Sequence, residues 1–363
     1  MRKLTSIISV LIIVIVAVIV VHFNKENSLA TEKFIKKWLI NDNGTLATYV
    51  RDDHELDEDL VQGRESLSET LGLWMLYALE KDDEQHFDQA FNMLIDFFLE
   101  KDGFIHWKLL ASGESEVHTN ALVDDLRIID ALIQAHERWN HHHYEEVAKL
   151  ISHYVNKFSE KSGILTDFYE RKHQYSSDVV TLPYIDPGAM EKMVHRGWLN
   201  QESFGQTILI LENAPLENGF YPKRYQVTEK NYQFDNEINM VDQALVAYHL
   251  AKLDIESNEL IQFAVQQYSQ FGAIFGKYDI HSKEPAVTYE SPAVYGLLML
   301  YCLEVGELSM AENLYERMIV FRNDNKLGSY YGGYSVSESG DTHIFDNLVP
   351  LLAEKRLRNM QAE

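Results

Sequence analysis

Acidic residues recur where the apolar helical periodicity of this chain begins: Glu69, Asp124 and Asp125, Asp186, Asp235, Glu290 and Asp346. Two carboxyl groups facing one bond can cleave a glycosidic acetal. One is protonated and gives its proton to the leaving oxygen, and the other acts as nucleophile or as base for water. The proton donor needs apolar neighbours that raise its pKa. Glu69 meets this condition in Ser68-Glu69-Thr70-Leu71-Gly72-Leu73-Trp74, where it opens an otherwise apolar helix. Glu69 also stands three residues after Ser66, the spacing of a capping box. Asp and Glu are favoured in first helical turns for capping and dipole reasons, so position alone does not choose a catalytic pair.

Sugar subsites are built from aromatic faces with a few polar groups. Trp107 and Tyr184 are the first choices as subsite walls, and Tyr289 is a further candidate among the tyrosines of the long segments. His141-His142-His143 falls in a short connection and reads as an exposed turn, so no metal site and no cofactor are expected.

These residues must be held by helices, because the apolar spacing from Ser28 onward is mostly three and four. Twelve helices are expected over 28–41, 66–81, 84–101, 119–139, 143–160, 186–197, 201–213, 236–253, 257–274, 291–305, 307–321 and 343–358. The connections alternate between very short ones, such as Asp82-Asp83 and Gly306, and six long segments at 42–65, 102–118, 161–185, 214–235, 275–290 and 322–342. Antiparallel neighbours send alternate connections to opposite ends, so the long segments should emerge on one rim, the binding face. Six hairpins of about 55 residues exceed the 34 of tetratricopeptide units, and a closed ring needs no capping repeats. The expected fold class is all-α: an (α/α)6 toroid of six helical hairpins with an N-terminal transmembrane helix.

The chain has 363 residues, 46% hydrophobic and 12% aromatic, enough for one large globular domain after its first thirty residues. Its formal charge of −24 repels phosphate backbones and counts against nucleic-acid binding, while it could attract a cationic polymer such as a partly deacetylated glucosamine chain. Cys302 is the only cysteine, which excludes an intramolecular disulfide, a cysteine-based zinc cluster and a lipoprotein anchor on a cysteine after the apolar run. That run, Leu4 to Val21, follows Arg2 and Lys3 and approaches the length that crosses a bilayer, with the domain outside. The expected organisation is an anchor over 1–23, a linker over 24–30 and the helical domain over 31–363. The alternative is secretion after cleavage at Ser28-Leu29-Ala30.

Several segments, in order, resemble the family-8 glycoside hydrolases. Ser68-Glu69-Thr70-Leu71-Gly72-Leu73-Trp74-Met75-Leu76 is similar to Ser-Glu-Gly-x-x-Tyr-Gly-Met-Leu, in which the glutamate is the general acid. Gly103-Phe104-Ile105-His106-Trp107-Lys108 resembles Gly-Leu-x-x-Trp-Lys. Ala121-Leu122-Val123-Asp124-Asp125-Leu126-Arg127-Ile128 resembles Ala-Thr-Asp-Ala-Asp-Leu-Asp-Ile, with Asp125 on the second aspartate and Val123 in place of the first, for which Asp124 could substitute. Phe234-Asp235-Asn236-Glu237-Ile238 resembles Tyr-Asp-Ala-x-Arg, whose aspartate is the base in one branch of the family; the family arginine has no counterpart. The resemblance implies an inverting, endo-acting hydrolase of a β-linked bacterial polysaccharide, a glucan or glucosamine polymer. It gives Glu69 as acid, Asp235 as base, and Asp125 holding the distorted sugar. Asp124, Trp107, Tyr184 and Tyr289 would bind substrate. The partners implied are the polysaccharide, the membrane and an exopolysaccharide synthesis machinery. Val123 and the missing arginine motivate a second reading, a non-catalytic carbohydrate-binding or scaffold toroid.

Overall fold

The structure is a computed structural model that describes residues 30–58 and 60–362. The Leu4–Val21 run, with the anchor and linker expected there, lies outside the described residues. Among the described residues no helix is long and apolar enough to cross a membrane.

Twelve helices run through the described residues. They are α1 (30–38), α2 (Ser68–Lys81), α3 (Glu84–Met93), α4 (Leu122–Trp139), α5 (His142–Phe158), α6 (Pro187–His195), α7 (Gln201–Glu212), α8 (Met240–Ala251), α9 (Asn258–Phe271), α10 (Pro292–Glu304), α11 (Leu308–Met318) and α12 (Phe345–Ala362). The even-numbered helices touch in chain order, and α12 returns to α2, so they close a ring. Their odd-numbered partners pack outside it, as α3 does on α2, α5 on α4, α7 on α6 and α11 on α10.

Side-chain patterning explains which helices lie inside. Every residue of α10 from Pro292 to Leu303 is buried, because this helix is apolar on all sides and has neighbours on all sides. The outer helices bury one stripe only. In α5 it is Tyr144, Ala148, Ile151 and Val155, and in α11 it is Ala311, Leu314 and Met318, at spacings of three and four. Each large apolar side chain removed from water stabilises by roughly 1.5–3 kcal/mol, so burial in the ring, more than helix propensity, holds these elements. Gly296 allows α10 to lie close against α12, since a Cβ there would sit 2.9 Å from Val349 Cγ1.

The long segments are laced to one another by short strands. Ser66–Leu67 pairs with Lys108–Leu109, Val179–Thr181 with Arg224–Gln226, and Glu237–Asn239 with Lys277–Asp279. Thr119 bridges to Glu170, and Tyr49 to His343. The Asp341 carboxylate accepts from the backbone N–H groups of Val50 and Arg51 at 3.0 and 3.1 Å, tying the last long segment to the first. The short connections meet elsewhere: His141 Nε2 lies 2.6 Å from Glu84 Oε1, and Arg196 pairs with Glu137. Two expected helices are shorter than their periodicity suggests. The one expected over 84–101 ends at Met93 and continues as a wider turn over Leu94–Phe98. The one expected from 236 starts at Met240, because Glu237–Asn239 is taken up by its strand partner.

Candidate active site

Glu69 is the second residue of α2, half-buried at the start of a helix whose next ten residues are mostly buried. The capping-box alternative does not form: the N-cap of α2 is Leu67, with no side-chain cap, and the Ser66 hydroxyl instead bonds Thr45 Oγ1 at 2.9 Å. The start of α2 is held from the neighbouring helix. Ser68 Oγ donates to Asp124 Oδ2 at 2.6 Å, and the Glu69 backbone N–H turns to the same carboxylate. Arg127, one turn further along α4, donates to Asp124 Oδ1 at 3.2 Å. Gly72 leaves room for that arginine, since a Cβ would lie 3.0 Å from Arg127 Cδ. Burial raises the Asp124 carboxyl above the usual carboxylate range, outweighing Arg127, Ser68 and the Glu69 N–H. Trp107 is tied to the same place through its backbone, its carbonyl accepting the Ser68 N–H at 3.0 Å.

The Tyr184 phenol lies within the electrostatic reach of four carboxylates. It is pushed up first by burial, then by the negative charges of Asp167, Glu69, Asp124 and Asp242. Asp167 accepts from Thr181 N at 2.6 Å and Thr181 Oγ1 at 2.7 Å, yet burial still takes it to about 6, in the range of a group that can exchange protons near neutrality. Asp242, in the first turn of α8, accepts a charged hydrogen bond from Lys223. Sequence reading missed Asp167, Lys223 and Asp242. Asp242 carried a signal, an acid in the first turn of an even-numbered helix, but the family segment falls on Asp235. Asp167 carried none, because its environment is made by Thr181 and by the charges of Lys223 and Arg224 from another part of the chain.

The remaining candidates are placed differently. Asp125 adjoins Asp124 in sequence but is 1% exposed, with Oδ2 accepting from Asn120 Nδ2 at 2.5 Å, and burial holds its carboxyl well above the ordinary range. Asn120 is itself fixed by Ser159 and by the Tyr169 N–H, so Asp125 belongs to an interior network. Asp235 has a half-exposed side chain 3.9 Å from Arg224 Nη2, so a guanidinium from another strand stands beside it where the sequence segment lacks one. Tyr289 is 53% exposed, and its ring covers Gly276, where a Cβ would lie 2.4 Å from the ring. The other helix-start acids have structural partners: Asp186 caps α6 and pairs with Lys252, Glu290 pairs with Arg317, and Asp346 accepts from Ser291 Oγ at 2.7 Å.

The chain is similar to known proteins over most of its length. The family described as Glycosyl hydrolases family 8 matches residues 8–166. A Bacillus subtilis (strain 168) protein named "Putative lipoprotein YdaJ" is 38% identical over 329 residues, 90% of this chain and 86% of that one. Among solved structures, an alpha-amylase from Clostridium perfringens superposes with a TM-score of 0.81 at 24% identity, covering 91% of this chain and 97% of that one. PssZ from Listeria monocytogenes gives 0.72 at 24%, covering 89% and 93%. The family-8 endoglucanase Cel10 from Klebsiella pneumoniae gives 0.61 at 15%, covering 92% and 99%.

Proposed function

Because the chain belongs to glycoside hydrolase family 8 and is a glycosidase, we propose that it cleaves a β-linked bacterial polysaccharide inside the chain, with inversion at the anomeric carbon. The observation that carries this reading is that Glu69, Asp124 and Asp242, in the first turns of the inner helices α2, α4 and α8, act with Asp167 on the buried Tyr184 phenol. Glu69 protonates the leaving oxygen. Its backbone is fixed by Asp124, so the carboxyl is presented in one place, which an oriented proton transfer requires. Asp235 activates water, with the Arg224 guanidinium 3.9 Å away. Asp124 acts by positioning Glu69, while Asp125, to which the resemblance gives the distorted sugar, is enclosed by Asn120 and its surroundings. Trp107 and Tyr184 wall the cleavage point, and the exposed Tyr289 offers a more distant sugar platform.

The acidic balance of the chain favours a glucosamine-containing polymer among β-linked substrates. The likeness to a clostridial alpha-amylase supports a second reading, an α-linked glucan. A panel of β-glucan, xylan, a deacetylated β-glucosamine polymer and starch separates the two. Reducing ends released from a β-linked polymer, with the product's first-formed anomer inverted by NMR, support the proposal. Release from starch alone replaces the substrate, a retained anomer replaces the mechanism, and oligosaccharide binding without any new reducing ends favours the non-catalytic reading. The apolar run Leu4–Val21 attaches the domain to the outer face of the membrane, near the exopolysaccharide synthesis machinery; the name of the Bacillus relative supports membrane attachment, while Cys302 is buried within α10. Protease added to intact cells should degrade the domain, and full protection would show the opposite orientation.

A further inference from the structure

The triple-histidine turn has no part in the candidate active site, and it joins α4 to α5 on the rim of the short connections. Asn140 ends α4 in the left-handed conformation, with φ 58° and ψ 36°, and His141 is the N-cap of α5. This reversal brings the last turn of α4 against the first turn of α5. His136 comes from the first of these, and His142 and Glu145 from the second. One ligand atom from each of the three lies within 4.8 Å of the other two. The His136 and His142 rings are 5.4 Å apart, and His136 Nε2 is 3.5 Å from Glu145 Oε2.

A second feature concerns orientation. His136 Nδ1 lies 3.1 Å from the His141 carbonyl oxygen, which can only accept, so Nδ1 carries the proton. In the neutral ring the lone pair is then on Nε2, the atom that faces Glu145. Metal-bound histidines are oriented in this way, with the other ring nitrogen donating to a carbonyl or carboxylate. The two oxygens of Glu145 are also differentiated: Oε1 is 4.0 Å from Arg196 Nε, and Oε2 faces His136. Arg196 is itself engaged by Glu137 and by the Lys192 carbonyl, so it leaves Oε2 available.

The other two histidines of the run are occupied. His141 pairs with Glu84, and His143 packs on Phe91 and Tyr144. We propose that His136, His142 and Glu145 bind one divalent transition-metal ion, of which Zn²⁺ suits the donor set best, with water completing the coordination. Two imidazoles and one carboxylate are a zinc set, whereas Mg²⁺ and Ca²⁺ prefer all-oxygen sites. Zinc bonds of about 2.0–2.2 Å put tetrahedral ligands roughly 3.3–3.6 Å apart, so the site closes by about 1 Å on binding. His142 is exposed and Glu145 half-exposed, so both can rotate to make that closure. The ion would staple the α4–α5 hairpin on the rim away from Glu69.

The test is calorimetric titration of the full chain in detergent, purified without a polyhistidine tag and stripped with EDTA, using ZnCl₂ alone. One equivalent should bind with a dissociation constant of about 10 µM or tighter, and the thermal midpoint should rise with added zinc. His142→Gln and Glu145→Gln should each weaken binding about 10-fold or more, with unchanged unfolding in EDTA, because both side chains are at the surface. His136→Gln should do the same, and MgCl₂ should not compete. Absence of one-equivalent binding, or equal binding in the His142→Gln and Glu145→Gln proteins, would overturn the assignment. Neither result bears on glycosidase activity.

Discussion

Replacing Lys252 with methionine removes an ammonium group from Asp186 while keeping most of the side-chain length. Lys252 Nζ donates to both Asp186 oxygens at 3.0 and 3.3 Å, and Asp186 also caps α6 through the Ala189 N–H at 3.2 Å. The two side chains are 18% and 12% exposed. Burial alone would raise the Asp186 carboxyl, but Lys252, the nearby His249 and the cap outweigh it and hold the group well below the usual range. A depressed carboxylate pKa contributes stability that is present above the unfolded value of 3.8 and is lost as the pH falls through the folded value. In Lys252→Met the anion stays enclosed with its cap and the nearby His249 but without its ammonium partner, and breaking a buried pair in this way costs about 3–5 kcal/mol. Urea unfolding followed by tryptophan fluorescence should show that deficit at pH 7. It should shrink towards about pH 4, where the unsupported Asp186 of the variant takes up a proton. The double variant Asp186→Asn/Lys252→Met should recover much of the loss, since neither charge is then stranded. A deficit below about 1 kcal/mol, or one that stays constant from pH 4 to 8, would refute the assignment of Asp186 to a structural pair.

Two further outcomes concern the site. Asp124→Ala removes the acceptor for Ser68 and for the Glu69 N–H and strands Arg127, which is 11% exposed; kcat should fall about 10²-fold with little change in KM, and stability by about 3 kcal/mol. Asp124→Asn keeps an acceptor and should retain more activity, so equal losses in both variants would count against a positioning role. Asp167, raised to about 6, binds its proton more readily in the folded than in the unfolded chain, so its ionisation should cost about 2 kcal/mol as the pH rises from 4 to 7. Asp167→Asn should lack that slope in pH-dependent urea unfolding, and an unchanged slope would exclude Asp167 as its source.

The sequence made the helix order and the ring legible, because burial on all sides and burial on one stripe leave different apolar patterns; α10 and α5 show the contrast. It also singled out Glu69 as the candidate acid, through an apolar helix start and a family segment, and the structure places that residue in the first turn of α2. The short strands between long segments were not visible, since two or three residues carry no periodicity and their pairing is decided by a partner elsewhere, as for Glu237–Asn239. The difference between Asp124 and Asp125 was hidden for a similar reason. Adjacent positions on a helix point about 100° apart, and only the placement of Ser68 and Asn120 reveals which aspartate supports Glu69 and which enters the interior. Asp167 acquires its character entirely from tertiary burial.

The most direct measurement of the catalytic assignment is the rate at which Glu69→Gln releases reducing ends from whichever panel polymer the native protein cleaves. The amide keeps the shape of the side chain and cannot donate the required proton, so the rate should fall by about 10²- to 10⁴-fold while urea unfolding and oligosaccharide affinity stay near those of the native protein. Hydrolysis at the native rate by a folded Glu69→Gln protein would contradict the assignment of Glu69 as the proton donor.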